Sequence, residues 1–308
     1  MLATGHRVLA TWIAHNGAPG KRRNVPLPRP FDEAHYVRTD AWYRLPVVRL
    51  VRTLRRTCRK YLAHAFIHGS YATEDYKADW SDLDTLVVLR AEVACSSALL
   101  RTFRIQAIRM RRYLYMVDSL QHHGHIVLSE TDFEYYPESF FPTVLFAYTI
   151  PVFASERIQV TQRPGNAEAA TAYEDLLQYL RHTDLTAITA NLFAYKLFLH
   201  IVQLIPVAAL QARGEQVYKR ESFAKARPLA SAVAWAAITE ASRVRSTWDY
   251  RGWCSNGIGR TLVELLPNPQ PLFALNLVFN TGLTLTQKQE AAVILRAARQ
   301  LAEELSPS

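Results

Sequence analysis

The chain has 308 residues, of which 49% are hydrophobic and 20% are charged, and its formal net charge is +9. That length suits one large domain or two ordinary ones, and that hydrophobic content excludes a mostly disordered chain. The excess of positive charge favours a polyanionic partner, either a nucleic acid or a nucleoside triphosphate.

Neither a membrane segment nor a disulfide framework is expected. Apolar runs fall short of the roughly 18 to 20 residues that a membrane span needs. His6, Arg7 and His15 interrupt the first apolar stretch, so no signal peptide is expected. The three cysteines lie far apart and form no Cys-x-x-Cys pair: Cys58, Cys95 and Cys254. This spacing argues against zinc and indicates buried free thiols in a cytoplasmic protein.

Residues 1–30 are predicted to be an N-terminal arm or linker. A short amphipathic helix is expected over Leu2–His15, and glycines and prolines interrupt the rest of this segment. A second helix is predicted over residues 46–63. Its basic residues recur at helical spacing and share one stripe: Arg52, Arg55, Arg56, Arg59 and Lys60. This stripe is interpreted either as a solvated face or as a wall that faces an anion.

The most informative stretch is Ala65–Arg90, AFIHGSYATEDYKADWSDLDTLVVLR. An apolar strand is predicted to end at Gly69-Ser70, where a glycine lets the backbone approach a ligand and a serine hydroxyl can bond a phosphate oxygen. Asp82 and Asp84 are predicted to begin the next strand. Because side chains alternate along a strand, the two carboxylates share one face. Carboxylates this close repel each other unless a cation lies between them, and Mg²⁺ prefers such oxygen ligands.

This order of strand, Gly-Ser turn, spacer and Asp-x-Asp strand resembles the signature of the polymerase-β-like nucleotidyltransferases, of the minimal or antibiotic-modifying type. The resemblance implies that Gly69 and Ser70 hold the triphosphate of a bound nucleotide. It also implies that Asp82 and Asp84 are catalytic residues and hold Mg²⁺ or Mn²⁺. Mg²⁺ is expected as the cofactor, and a nucleoside triphosphate as the substrate.

In that superfamily a third carboxylate on a neighbouring strand usually completes the metal site and acts as general base. The matching place in this chain lies near Gly124–Ile126, just ahead of a predicted strand, and it holds His125 rather than an acid. His125 or His123 is interpreted as the replacement base, since histidine titrates near neutral pH. A metal held by two aspartates and a histidine is an alternative, and so is a histidine cluster that is only a hydrogen-bonded loop.

The second half of the chain is predicted to be almost entirely helical. The predicted fold class is α+β, with a small mixed-sheet nucleotidyltransferase domain at residues 31–160 and a C-terminal helical bundle at residues 161–308. Pro206 is expected to break or kink one of the helices. Between two helices, Tyr218 and Lys219 are interpreted as nucleotide contacts, the tyrosine by stacking on a base and the lysine as a point charge for phosphate.

The sequence therefore predicts, on this resemblance, an enzyme that moves a nucleoside monophosphate from a nucleoside triphosphate to a hydroxyl-type acceptor. The net charge favours a nucleic acid such as tRNA as acceptor, bound through arginine-rich helices at residues 52–60 and 101–112. A small molecule and a protein side chain remain alternative acceptors. The rival interpretation is a catalytically impaired nucleotidyltransferase fold that only binds nucleotide or nucleic acid, and the missing third carboxylate supports it.

Overall fold

The computed structural model of the chain describes residues 20–36, 41–77, 79–121, 123–136, 138, 141–162, 166–250, 257–271, 274–275 and 282–307. The predictions for Leu2–His15 and for Cys254 concern residues outside these ranges. Within them, a strand-containing part is followed along the chain by a helical part.

Along the described residues the strands are β1 (Lys21–Pro26), β2 (Leu62–His68), β3 (Asp84–Leu89), β4 (Ile126–Ser129), β5 (Ile150–Pro151) and β6 (Arg157–Gln162). The α-helices are α1 (Glu33–Tyr36), α2 (Ala41–Thr53), α3 (Ala91–Ala94), α4 (Ser97–Val117), α5 (Ala167–His182), α6 (Leu185–Ile188), α7 (Leu192–Ala212), α8 (Lys219–Ala226), α9 (Ala232–Thr247), α10 (Gly257–Leu265) and α11 (Leu285–Glu304). A wider helical turn, Leu54–Cys58, extends α2, and 3₁₀ turns occupy Gly69–Tyr71, Glu130–Phe133, Thr143–Tyr148 and Arg227–Leu229.

A four-stranded mixed sheet carries the Gly-Ser turn and the paired aspartates. Its strands lie in the order β4, β3, β2, β5. β2 is antiparallel to both β3 and β5, whereas β3 and β4 are parallel. Parallel neighbours need a long crossover connection, which α3 and α4 provide.

Both faces of this sheet are covered, because its strands present apolar side chains on each side. Ala65 and Ile67 of β2 pack with residues of α2 and α4 on one face. Phe66 of β2 and Leu86 of β3 lie on the other face in a cluster with Phe146. The sheet is therefore a buried scaffold that can hold residues at the ends of its strands in fixed positions.

A second, two-stranded sheet pairs the start of the described chain with its middle. β1 runs antiparallel to β6, from Lys21 opposite Gln162 to Pro26 opposite Arg157. β1 belongs to the segment that we predict as an arm or linker, whereas β6 lies next to the predicted domain boundary. Because Ile158 of β6 packs in the same cluster as Phe66, this small sheet is part of the packed structure.

The helical part is organised around α7. Its core contains large buried side chains from several helices, among them Tyr173 of α5, Phe198 of α7 and Leu301 of α11. By length and composition α7 is, among the described residues, the one helix that could cross a membrane. Most of it is buried inside the bundle, however, which is the environment of a central core helix.

Of the break or kink that is predicted at Pro206, the break does not occur, because α7 continues through this residue to Ala212. A proline inside a helix removes one backbone hydrogen bond and crowds the preceding turn. Ile205, Pro206 and Val207 are all buried. Packing of this apolar stretch therefore offsets the local cost, as it does for most helices in folded proteins.

The predicted α+β fold class, a small mixed sheet followed by helices, is confirmed. The two parts meet at Trp80, which lies in the spacer between β2 and β3 but packs in the core of the helical part. Its ring stacks on His200 of α7, with ring centroids 4.9 Å apart, and meets Trp248 edge-on at 5.0 Å. The loop that leads into the paired aspartates is thus anchored in the bundle.

Candidate metal and nucleotide site

The Gly-Ser turn follows directly from the end of β2. Gly69 has φ +71°, a left-handed conformation that L side chains rarely adopt. A Cβ atom at this position would also overlap the carboxylate of Asp84. The backbone N–H groups of Ala72 and Thr73 donate to the Gly69 carbonyl at 3.1 and 3.2 Å, which closes the turn. Glycine is therefore required here for two independent reasons, and Ser70 lies half-buried beside it.

The two aspartates lie at the start of β3. Asp84 is the first residue of the strand and is paired in register with His68, the last residue of β2. Asp82 precedes the strand and is 4% exposed, while Leu83 between them is fully buried in the sheet core. The predicted alternation therefore places the two carboxylates on the same side, next to the Gly69 turn.

His123 joins the two aspartates from the loop before β4. Its Nε2 atom lies 2.6 Å from Asp84 Oδ1 and 3.7 Å from Asp82 Oδ2. This proximity follows from the sheet: β3 and β4 are parallel with Leu86 opposite Ile126, so the residues before β4 lie at the same sheet edge as Asp84. One ligand atom each from Asp82, Asp84 and His123 lies within 4.8 Å of the others.

Electrostatics in this cluster indicate a place that favours a cation. Burial alone would raise the pKa of the Asp84 carboxyl, but the charge and hydrogen bond of His123 outweigh it, so this pKa is lowered. Burial alone would lower the pKa of His123, but Asp84 and then Asp82 raise it to about 9. Without a metal, a protonated imidazole therefore supplies the positive charge between the carboxylates.

The donor set fits a divalent cation. Two carboxylates offer the oxygen ligands that Mg²⁺ and Mn²⁺ prefer, whereas a neutral imidazole nitrogen is a ligand more typical of iron, nickel, copper and zinc. Because the pKa of His123 is about 9, its ligation would require loss of a proton at neutral pH.

His125 lies in a different environment from His123. Its Nδ1 atom is 2.6 Å from the hydroxyl of Thr85. Thr85 follows Asp84 in β3, so the Thr85 side chain points to the opposite face of the strand from the Asp84 carboxylate. Burial, followed by the charge of Arg111, lowers the pKa of His125 to about 4. The structure thus brings His123, rather than His125, into contact with the two aspartates.

Lys196 and Asp118 are parts of the site that the sequence motifs do not predict. Lys196 of α7 is 1% exposed, and its Nζ atom lies 2.6 Å from Asp82 Oδ1 and 2.5 Å from Asp118 Oδ2. Burial would lower the pKa of Lys196, but the two carboxylates outweigh it and raise it. The pKa of Asp118 is raised to about 8, mainly by burial. The charge of Lys196 opposes this shift, whereas the charge of Asp82 adds to it.

The sequence around Lys196 contains a signal that this lysine is buried and paired. The stretch LFAYKLFLHIVQLI of α7 is apolar apart from a few polar residues, and Lys196 is its single residue with a full charge at neutral pH. A charge inside an apolar helix is rarely buried unless it is paired. That pattern indicates a buried ion pair, although it does not identify the partner.

Tyr218 and Lys219 lie at the start of α8, on the side of the bundle that faces the Gly-Ser turn. The Tyr218 hydroxyl is 3.1 Å from the hydroxyl of Thr73, and its ring stacks on Tyr148 with centroids 4.4 Å apart. Lys219 Nζ lies 3.1 Å from the side-chain oxygen of Gln203. Burial, and then the charge of Arg245, lower the pKa of Lys219 to about 8, while the nearby aspartates oppose this shift.

A cavity of about 670 Å³ opens beside these residues. Its walls come from both parts of the fold, with Thr73 and Tyr148 on the sheet side and Tyr218, Arg220 and Glu221 on the helical side. Because Thr73 also bonds to the Gly69 carbonyl, the cavity adjoins the Gly-Ser turn.

The predicted basic stripe at residues 52–60 divides into two groups. Arg52 pairs with Glu33, and Arg55 donates to the backbone carbonyls of Phe31 and Val152, so these two arginines are engaged within the fold. The others line a second cavity of about 770 Å³, together with Arg90: Arg56, Arg59 and Lys60. This cavity lies near the start of β2 and the end of β3, at the sheet edge opposite Gly69 and Asp84.

Residues 50–133 match the family model for a nucleotidyltransferase domain. The matched segment begins in α2, ends in the 3₁₀ turn after β4, and contains Gly69, Asp82, Asp84 and His123. No curated protein and no solved structure shows a significant similarity to the chain.

Proposed function

We propose that the chain, whose residues 50–133 match the family model for a nucleotidyltransferase domain, transfers a nucleoside monophosphate from a nucleoside triphosphate to an acceptor hydroxyl. The observation that carries this proposal is the cluster of Asp82, Asp84 and His123 beside the left-handed Gly69. The side chains of such a cluster can hold a divalent cation next to a phosphate-binding turn.

In this proposal Asp82, Asp84 and His123 hold Mg²⁺ or Mn²⁺, which when bound stabilises negative charge on the triphosphate. The Gly69 backbone and the Ser70 hydroxyl orient the phosphates. Lys219 adds a point charge for phosphate. As the acceptor oxygen bonds to the α-phosphorus, the bond to pyrophosphate breaks and the acceptor proton is released.

We assign Tyr218 to the nucleobase. Its ring lies in the wall of the 670 Å³ cavity next to the Gly-Ser turn and already stacks on Tyr148. An aromatic face accepts any base by stacking. The polar side chains of Arg220 and Glu221 in the same wall are suited to distinguish between bases by hydrogen bonding.

The proposal is tested by incubating the purified protein with each α-³²P-labelled nucleoside triphosphate and Mg²⁺ or Mn²⁺, with total RNA, tRNA or small hydroxyl compounds as acceptors. Transfer of label should disappear in Asp82→Asn/Asp84→Asn and persist in Asp175→Asn, an exposed aspartate on α5 that controls for the loss of a charge. Absence of transfer with every acceptor, together with absence of triphosphate binding in calorimetry, would refute the proposal.

A nucleic acid is the acceptor that we propose first. The cavity lined by Arg56, Arg59, Lys60 and Arg90 is strongly basic, with Glu92 as its acidic residue. The seven residues of β2 separate it from Gly69, a distance of about 20 Å at roughly 3.3 Å per residue. An RNA or DNA strand that contacts both places would present its end to Asp84 and its backbone to the basic cavity.

The salt dependence of nucleic-acid binding tests this acceptor. Arg56→Ala/Arg90→Ala should reduce the slope of log K against log salt by up to about 2, since each lost phosphate contact removes about one unit. Arg181→Ala/Arg296→Ala, at exposed positions of α5 and α11, serves as the matched pair, because it removes the same charge outside the cavity and outside the two predicted arginine-rich helices. Equal effects of the two double variants would exclude a specific role for the cavity.

A second candidate function is a nucleotide-binding module without transferase activity. A histidine, His123, rather than a third carboxylate joins the two aspartates, and Asp82 is engaged by a buried lysine. On this interpretation the protein binds a nucleoside triphosphate with metal but releases it unchanged. Metal-dependent binding in calorimetry, combined with no transfer and no pyrophosphate release, would favour this function.

A further inference from the structure

Asp82 faces two cationic groups on its two sides. Its Oδ1 atom receives a hydrogen bond from Lys196 Nζ at 2.6 Å, and its Oδ2 atom faces His123 Nε2 at 3.7 Å, in the cluster that suits a metal. The Lys196 ammonium in turn reaches Asp118 Oδ2 at 2.5 Å. Asp82 therefore lies between two cation positions, one in the cluster with His123 and one at the Lys196 ammonium.

This bridging carboxylate has the arrangement expected of a two-cation centre. In enzymes with two metal ions, the ions lie about 3.5–4 Å apart and clamp the reacting phosphate between them. A carboxylate shared by the two ions holds them at that spacing. In this chain the second place, between Asp82 and Asp118, contains the end of a lysine side chain.

The lysine is a fixed part of the site. Lys196 is 1% exposed and lies in the middle of the protein, with its ammonium 5.7 Å from the ring centroid of Trp80. Removing one partner of a buried ion pair leaves an uncompensated buried charge, which is strongly unfavourable. Lys196 therefore cannot withdraw without cost to admit a metal ion.

We propose that the Lys196 ammonium permanently occupies the second cation position of this centre, so that each chain binds one divalent ion, held by Asp82, Asp84 and His123. This inference rests on the metal site of the proposed function. Lys196 acts as a positioning residue: it fixes the orientation of Asp82 and neutralises charge next to the metal without being a ligand.

Lys196 also connects the helical part of the chain to the site. Lys196 belongs to α7, whereas Asp82 precedes β3 and Asp118 follows α4. The ammonium thus joins three segments that are distant in sequence. A change in the position of α7 would move Asp82 and would therefore change the affinity of the proposed site for the divalent ion.

The experiment is a Mn²⁺ titration of the full chain followed by electron paramagnetic resonance, with Mn²⁺ alone as the probe. The wild-type protein should bind one Mn²⁺ per chain and give the spectrum of an isolated ion. Two Mn²⁺ per chain with spin coupling would overturn the inference while leaving the proposed function intact. No bound Mn²⁺ in folded protein would overturn the metal site itself.

Two substitutions at the same position make the test specific. Lys196→Ala removes the ammonium and leaves space between Asp82 and Asp118, so the number of bound Mn²⁺ ions should rise from one to two. Lys196→Met removes the charge but fills the space, so the number should stay at one. If Lys196→Ala also binds a single ion, the ammonium does not stand in a cation position and the inference is wrong.

Thermal unfolding supplies a second readout. In EDTA both variants should melt roughly 10 °C below the wild type, because the buried Asp82 carboxylate has lost the cation that it pairs with. Mn²⁺ should restore most of this loss in Lys196→Ala and little of it in Lys196→Met. Lys225→Met, which removes an exposed lysine paired with Glu215, controls for the change in net charge. Equal recovery of the two Lys196 variants would contradict the proposal.

Discussion

Gly69 and Asp84 are in direct contact: the backbone of the glycine approaches the carboxylate so closely that a Cβ atom would overlap its Oδ2 atom. The contact exists because β2 ends opposite the beginning of β3, with His68 paired to Asp84. The phosphate-binding turn and the metal-binding carboxylate of the proposed site are therefore built as one unit at the edge of the sheet.

Gly69→Ala should abolish Mn²⁺ binding and lower stability by about 1–3 kcal/mol, because the new side chain is strained at φ +71° and displaces Asp84. Gly214→Ala is the matched control. Gly214 has φ +84°, but a Cβ atom there would meet nothing within 4 Å, so only the conformational strain is shared. Calorimetry with Mn²⁺ and thermal unfolding separate the two effects. Equal metal affinities in both variants would show that the contact with Asp84 has no role in the site.

His123 and His125 should differ sharply in their effect on the metal. We expect His123→Ala to weaken Mn²⁺ binding by at least about 10-fold, since it removes a ligand from the cluster. His125→Ala should leave the affinity unchanged and lower the free energy of unfolding by about 1 kcal/mol, because it removes the hydrogen bond to Thr85. The measurements are Mn²⁺ titration and chemical unfolding. A larger loss of affinity in His125→Ala would reverse the assignment.

The sequence alone predicts the Gly-Ser turn and the paired aspartates because these depend on local order and strand alternation. It does not separate His123 from His125, since both precede β4 and the choice depends on which residue of the loop turns towards Asp84. The role of Lys196 is harder still to predict from the sequence. Its isolation in an apolar helix indicates a buried partner, but only tertiary packing brings it to Asp82, 114 positions away in the chain.

The helix boundaries in the second half of the chain also depend on tertiary packing, which local sequence patterns do not predict. Pro206 lies inside α7, against its local preference, because its neighbours are buried in the bundle core. The second half is predicted as helical, and within it the chain forms α8 and α9 with a 3₁₀ turn at Arg227–Leu229 between them. Pro228 in that turn is the local signal for the interruption.

Triphosphate binding should weaken as the pH rises above about 8, the value to which burial and Arg245 lower the pKa of Lys219. The charged form of this lysine is present below that pH and is lost above it, so one unit above the pKa the affinity should fall by about 10-fold. We expect the fall between pH 7.5 and pH 9, measured by calorimetry with a nucleoside triphosphate and Mg²⁺.

Two substitutions identify the group responsible for this pH dependence. Lys219→Arg should remove the dependence, since a guanidinium stays charged over the whole range. Lys219→Met should bind weakly at every pH in the range. A wild-type profile that matches that of Lys219→Arg between pH 7.5 and pH 9 would show that the Lys219 charge does not contribute to phosphate binding, since the titration of His123 is common to both proteins.

Trp80 connects the core of the helical part to the loop that carries Asp82 of the candidate metal site. The residue is 2% exposed, packs on His200 and Trp248, and lies two positions before Asp82. Trp80→Ala should lower the free energy of unfolding by about 3–5 kcal/mol, because it leaves a large cavity in the bundle core. It should also weaken Mn²⁺ binding, since the loop that carries Asp82 loses its anchor.

A matched substitution distinguishes this connection from general destabilisation. Tyr173→Ala removes another fully buried aromatic side chain from the same core, but Tyr173 lies on α5, away from both the loop before β3 and the helix that carries Lys196. The two variants should lose similar stability, and Trp80→Ala should lose more Mn²⁺ affinity when both are measured well below their melting temperatures. Equal losses of affinity would mean that the metal site responds to the stability of the bundle as a whole. A loss confined to Trp80→Ala would identify this ring as the contact through which the helical part positions Asp82.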